Sequence, residues 1–341
     1  MKRKQLMAAI GLFLGIVLLS GSASALNLRF NVMYSPKHPL CKQVFAPWAK
    51  EVKKVTDGRV KVTMFYSNAL FKPKDALDAI SSRVGDIGIV LPVYTRSKLI
   101  LNSVMDQPMV AGEKALQNSE ALWEMYQTTP DMQKELKDVK VLWSYMNPAF
   151  QLHFTKKKVQ NLKELQNIVI SAGGATQTQL LRFLGASPEA MPMVKVFLAM
   201  QKGVVEGCFL PYAPLRTQKI ADLTHFHTNA NLMAVSFFVT VNKSAWDKIS
   251  DPDKKAIEAI SGLVAAKTSG EVFDAAQARD VAWMTKKGDK FFNLSADQKK
   301  LWAEKVAPVR EKWIQEAKAK GYADPQKVLD KALAVMAEKS R

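Results

Sequence analysis

The chain has 341 residues, 48% of them hydrophobic and 23% charged, a balance that fits a water-soluble fold and excludes a disordered or membrane-embedded chain. Its formal charge of +18 raises nucleic acid or an anionic surface as partners, but the lysines are mixed with carboxylates in "KEVKKV", "DPDKK" and "EKWIQEAKAKG". That pattern belongs to solvated helix faces, so no nucleic-acid partner is expected.

Lys2, Arg3 and Lys4, an apolar run from Leu6 to Leu19 and the small residues Ala23 and Ala25 read as a cleavable signal peptide over residues 1–25. The run is shorter than the roughly 20 residues that span a bilayer, and no cysteine near the cleavage point offers a lipid anchor. Export to the periplasm follows, with a mature chain from Leu26 whose charge is +15 once those three basic residues are gone. The 316 residues that remain exceed what one core usually holds, so two domains are expected.

"LNLRFNVMY" reads as a strand and "PKHPL" as a turn. The next segment puts Val44, Phe45, Trp48, Val52 and Val55 on one helical face and stops at Gly58. "RVKVTMFY" alternates as a strand, "PKDALDAISSRVG" is a short helix from Pro73 to Gly85, and "DIGIVLP" is an apolar strand. This order implies an α/β fold with a mostly parallel sheet. The pattern returns with "NIVIS", a helix closed by Gly185, another closed by Gly203, and "VVEGCFLP". "LMAVSFFVTVN" is a further strand-like run. Everything beyond reads as helical, with long helices from about Pro252 and from about Ala296 to Lys318, and a last one over "DPQKVLDKALAVMAEK".

In "QNIVISAGG" a strand ends at Ser171 and two glycines lead into a helix. The phosphate-loop lysine, the dinucleotide fingerprint and the Gly-x-Ser-x-Gly elbow are all missing. "HFH" at 225–227 is the only pair with a metal-like look, and without a third ligand in sequence it reads as a loop or strand surface pair. Cys41 and Cys208 have no metal-ligand spacing; free thiol, buried apolar residue and disulfide all stay open. No enzyme, metal or cofactor is therefore expected. Open α/β sheets bind ligands beyond the carboxyl ends of their strands, where Tyr34, Pro92, Ser171 and Pro211 fall.

"HPLCKQVFAPWAKEVKKVTDGRVKVTMFYSNAL", "ALDAISSRVGDIGIV", "TKKKVQNLKELQNIVI", "LGASPEAMPMVKVFLAMQKGVVEG" and "VNKSAWDKIS" together resemble the extracytoplasmic solute receptors of TRAP transporters, the DctP-like family, from Leu28 to about Trp313. The resemblance implies a two-lobed periplasmic binding protein fold, with hinge strands and a long helix packing on both lobes. Residues 26–148 plus 237–276 would form the first lobe and 149–236 plus 277–341 the second. It further implies a monomer that encloses a small organic solute and presents it to a TRAP membrane permease. The alternatives are a receptor that feeds a sensor protein, or an enzyme grown on the scaffold.

Two arginines that grip a carboxylate in most of the family align with Gln151 and Ser171, and a frequent asparagine with the region of Leu210 and Pro211. Their loss favours a neutral, aromatic or atypical ligand. On this reading Gln151 and Ser171 hydrogen-bond the solute, and Tyr34, Tyr94 and Phe150 pack on it. Met193 lies near the cleft, and Cys208, Phe209, Leu210, Pro211 and Tyr212 line it from the hinge side. For an anionic ligand, His38, Arg96 and the helix amides after Gly174 are the candidates.

Overall fold

A computed structural model describes residues 25–340; the signal-peptide expectation lies, except for Ala25, outside the described residues. The strands are β1 (Leu26–Asn31), β2 (Val60–Phe65), β3 (Ile87–Val90), β4 (Val139–Met146), β5 (Gln151–Phe154), β6 (Val169–Ala172), β7 (Ser187–Ala190), β8 (Gly207–Leu210), β9 (Phe226–Asn229), β10 (Ser236–Asn242) and β11 (Lys290–Asn293). They form two sheets, of order β2-β1-β3-β10-β4 and β11-β9-β5-β8-β6-β7. The chain is thus two-lobed.

In the first lobe the helix Ala46–Val55 buries Trp48, Ala49 and Val52 against β1, a tighter face than expected because Val55 stays half-buried. Before it, Cys41–Phe45 forms a wider π turn that sinks Val44 and Phe45. Gly58 ends the unit with φ +77°, a conformation that costs glycine little. Apolar clusters cover both faces of the sheet, with Phe30, Phe45 and Trp143 in one and Ile80, Val90 and Phe238 in the other. Both faces therefore carry helices. Each sheet is mostly parallel with one opposed strand: β10 runs antiparallel to β3 and β4, and β5 antiparallel to β8 and β9, while β1 pairs in parallel with β2 and β3, β6 with β7 and β8, and β11 with β9.

Two of the backbone crossings between the lobes, next to β4 and β10, bond to each other. The Phe150 N–H donates to the Met233 carbonyl (2.7 Å), and the Val235 N–H donates to the Asn147 side chain (2.7 Å). At the entry to β10 the buried Asp106 carboxylate accepts from the Ser236 N–H (2.8 Å) and hydroxyl (2.5 Å). The helix Gly262–Lys287 packs on the helix Ala115–Thr128 and β4 of the first lobe, and also on the helix Tyr212–Thr217 of the second.

Three expectations need correction. The long helix starts at Gly262, after a break at Ile260–Ser261 that ends the helix Asp251–Ala259. The C-terminal third is not all helical, because Gly288 (φ +98°) stops that helix and releases β11 to pair with β9. The region 277–341 does not belong wholly to the second lobe. The helix Ala296–Ala319, which contains Pro308, touches the helix Ala175–Phe183 of the second lobe, yet its Trp313 indole donates to the Ile100 carbonyl (2.9 Å) of the first. The helix Pro325–Lys339 then packs on Ala115–Thr128, because Leu329, Ala332 and Met336 complete the first lobe's outer cluster.

Candidate functional site

At the carboxyl end of β1 the chain turns through residues 35–40, and this turn stacks His38 on Tyr34 with ring centroids 4.0 Å apart. Phe273, from the long helix, meets His38 edge-on at 6.2 Å and Tyr145 of β4 at 6.1 Å. Tyr145 in turn stacks on Phe237 of β10 at 4.8 Å. The Leu40 N–H donates to His38 Nδ1 (3.2 Å), which leaves the ring proton on Nε2. Burial pulls the His38 pKa down to about 4, so the imidazole is neutral.

Burial also pushes the Tyr34 and Tyr145 phenols and the Cys41 thiol up, the last to about 12, and Tyr94 and Cys41 reinforce the rise at Tyr34. Tyr94 stands at the lip, 53% exposed. The first lobe thus presents an aromatic wall without formal charge. Tyr145, Phe237 and Phe273 were missed because they lie within apolar stretches; the alternation in "WSYM" offered the only signal.

In the second lobe the register places Gln151 opposite Leu210, and Ser171 opposite both Cys208 and Glu189. Gln151 is 1% exposed, and its amide is tied at both ends: Nε2 donates to Asn231 Oδ1 (2.5 Å) and Oε1 accepts from the Asn231 N–H (2.9 Å). The second N–H of Nε2 has no partner among the described residues. Ser171 is buried in the ladder at the strand end, with no side-chain partner among the described residues. Just before the helix that follows Gly174, Gln177 Oε1 accepts from the Gly173 N–H (2.6 Å). Met193, at the first turn of the helix Met193–Gln201, is 38% exposed.

The hinge-side residues divide. Phe150 packs on Phe209 (5.2 Å), and Cys208 and Phe209 are fully buried. Pro211 caps the helix Tyr212–Thr217, and the Leu210 carbonyl accepts from His153 Nε2 (2.9 Å). The Tyr212 hydroxyl donates to Asn229 (2.5 Å), and its ring packs against His153 and His227 of its own lobe.

"HFH" is likewise no surface pair. His227 sits in β9 with 0% exposure, its Nδ1 2.8 Å from His153 Nδ1 and its Nε2 3.3 Å from Asp289. Among the described residues no cluster of three or more His, Cys, Asp and Glu side chains could hold a metal ion. Both cysteines are free and buried. Arg96 is engaged in part: it pairs with Glu316 (2.9 Å) and donates to Thr176 Oγ1 (3.2 Å) across the mouth of the cleft, while its buried Nε–H has no partner among the described residues. No described helix is long and apolar enough to cross a membrane.

Residues 30–316 match the family model of bacterial extracellular solute-binding proteins, family 7. Among curated proteins the chain is 26% identical over 316 residues to an outer membrane transporter protein of Comamonas testosteroni, TsaT, covering 92% of each. Among solved structures it is similar to a TRAP periplasmic solute-binding protein of Desulfovibrio salexigens, with a TM-score of 0.85, 28% identity, and 92% and 97% of the two chains covered. A TRAP solute-binding protein of Rhodoferax ferrireducens, in complex with copurified benzoate, has a TM-score of 0.80 at 24% identity, covering 92% and 98%.

Proposed function

The chain belongs to family 7 of the bacterial extracellular solute-binding proteins, a family of periplasmic receptors and not of enzymes, and we propose that it captures an aromatic solute without an arginine clamp. TRAP receptors of this kind bind a small organic solute and work with membrane permease components.

The observation that carries the proposal is the contrast between the two walls. Where the family resemblance implies guanidinium groups, this chain has Ser171 and a Gln151 whose amide is held at both ends by Asn231. The opposite wall offers Tyr34, His38, Phe237 and Phe273, all neutral. Flat rings between these surfaces are held by stacking and by exclusion of water. The copurified benzoate of the Rhodoferax ferrireducens protein supports an arene of this size in such a cleft. Capture follows from closure: a solute that touches both lobes offsets the cost of bending the crossings and so selects the closed population. Delivery to a permease, after export by the N-terminal segment, completes the role.

Thermal shift of the mature chain against two panels tests the reading. Aromatic acids, amides and phenols are expected to raise Tm, while simple dicarboxylates and keto acids leave it unchanged. A dicarboxylate that stabilises the protein would overturn the absence of a clamp.

A further inference from the structure

Tyr145 is 0% exposed, and its hydroxyl has no hydrogen-bond partner. A buried phenol without a partner is costly, and native structures tolerate few such groups. The Tyr34 phenol lies beside it, raising the pKa of Tyr145 while Tyr145 lowers that of Tyr34, yet the two oxygens form no bond of full hydrogen-bond geometry. Beside them His38 keeps its proton on Nε2, since Nδ1 is taken by the Leu40 N–H.

Three donors, two phenolic O–H groups and one imidazole N–H, therefore share one aromatic enclosure. Phe237 and Phe273 close it with hydrocarbon, Cys41, pushed up to about 12 by burial, stays a thiol, and the only acceptor oxygens among these side chains are those of the two phenols.

We propose that Tyr145, Tyr34 and His38 form a neutral donor subsite on the first lobe that takes an acceptor-only oxygen group, a carboxylate or a carbonyl, of the aromatic solute. This rests on the reading of the chain as an aromatic-solute receptor. An oxygen placed there meets hydrogen on each side and relieves the Tyr145 hydroxyl. A hydroxyl on the solute, bringing a proton of its own, fits less well. Tyr34 lies beside Tyr145, so a solute oxygen that bonds the Tyr145 hydroxyl takes the place of the Tyr34 phenol. Tyr145 is then a determinant of specificity as well as of affinity, and it belongs to the lobe opposite Ser171.

Isothermal titration of the mature wild type and Y145F with benzoate and with benzamide tests the subsite, with unfolding of the empty proteins as control. For whichever probe binds, Y145F is expected to lose roughly tenfold in affinity. The empty Y145F protein should be at least as stable as wild type, because only a partnerless hydroxyl has gone. Benzoate as the tighter probe identifies the group as a carboxylate, benzamide as a carbonyl. Unchanged affinity in Y145F, with wild type binding either probe, overturns the subsite and leaves the aromatic reading standing. Failure of wild type to bind both overturns the two together. A less stable empty Y145F with unchanged affinity assigns Tyr145 to packing alone.

Discussion

The Nδ1 atoms of His153 and His227 lie 2.8 Å apart in the core of the second lobe, neither ring reached by solvent. The bond of His153 Nε2 to the Leu210 carbonyl requires a proton there, so its Nδ1 accepts from His227 Nδ1–H. That leaves His227 Nε2 bare toward Asp289 Oδ2, and Lys287 Nζ, 3.1 Å from the same oxygen, supplies the counter-charge. Burial holds both rings below the ordinary imidazole range, His227 at about 3.

Acid is therefore expected to unfold the protein through these rings. The unfolded chain takes up protons below about pH 6.5 and the native core does not, so this stability is present above that pH and drains away toward pH 3. By pH 5 the loss is about 2 kcal/mol for His227 alone. Urea titrations of wild type and H227Q at pH 7 and pH 5 check this, and a difference between the two proteins that does not change with pH would refute it.

Asp106 works in the opposite direction. Burial raises its pKa to about 7, against the bonds from Ser236 and the field of Arg96, and its Oδ2 has no partner. The native carboxyl keeps its proton where the unfolded one has lost it, so its contribution is present below about pH 4 and is lost as pH rises through 7. D106N is expected to gain on wild type by a few kcal/mol, on the order of three pKa units' worth, between pH 4 and pH 8. Paired chemical-denaturation curves across that range measure it.

Arg96 links three elements, the loop after β3, Thr176 of the second lobe and Glu316. Both partners of the ion pair keep some solvent exposure, so R96A should cost about 1 kcal/mol or less of global stability. Its effect should instead appear in shape. Small-angle scattering of the empty variant is expected to give a larger radius of gyration than wild type, and equal radii would show that the contact does not hold the mouth.

Gly270 lies where the long helix crosses Ala115–Thr128, and an added Cβ would come within 2.4 Å of Leu116 Cα. A backbone atom cannot swing aside as a side chain can. G270A is expected to destabilise by about 3 kcal/mol or more despite its better helix propensity. Thermal unfolding reads the effect directly.

The order of the first elements was legible because local chemistry fixes them: alternation in "RVKVTMFY", one apolar helical face before it, and a glycine that ends the helix. The partners of polar groups were not. The Gln151 amide is held by Asn231 and His153 by His227, contacts between residues 80 and 74 positions apart that no spacing encodes. β11 escaped because Lys290–Asn293 is short and gains its identity only from pairing with β9. Tyr145 reads as core in any apolar strand; only the missing partner of its hydroxyl marks it out.

Pro308 has no N–H to offer the Glu304 carbonyl one turn back, so the helix Ala296–Ala319 lacks a rung between Trp302 and Trp313. The helix touches Ala175–Phe183 of the second lobe, and beyond Pro308 its Trp313 is bolted to Ile100 and Ser103 of the first. A rod that straddles a moving joint normally resists bending along its whole length. Here the stiffness is interrupted at one residue, so rotation of the lobes can be absorbed there without extracting either tryptophan. The helix acts as a compliant strut, and the paired crossings at Asn147–Phe150 and Met233–Val235 are left to define the axis of rotation.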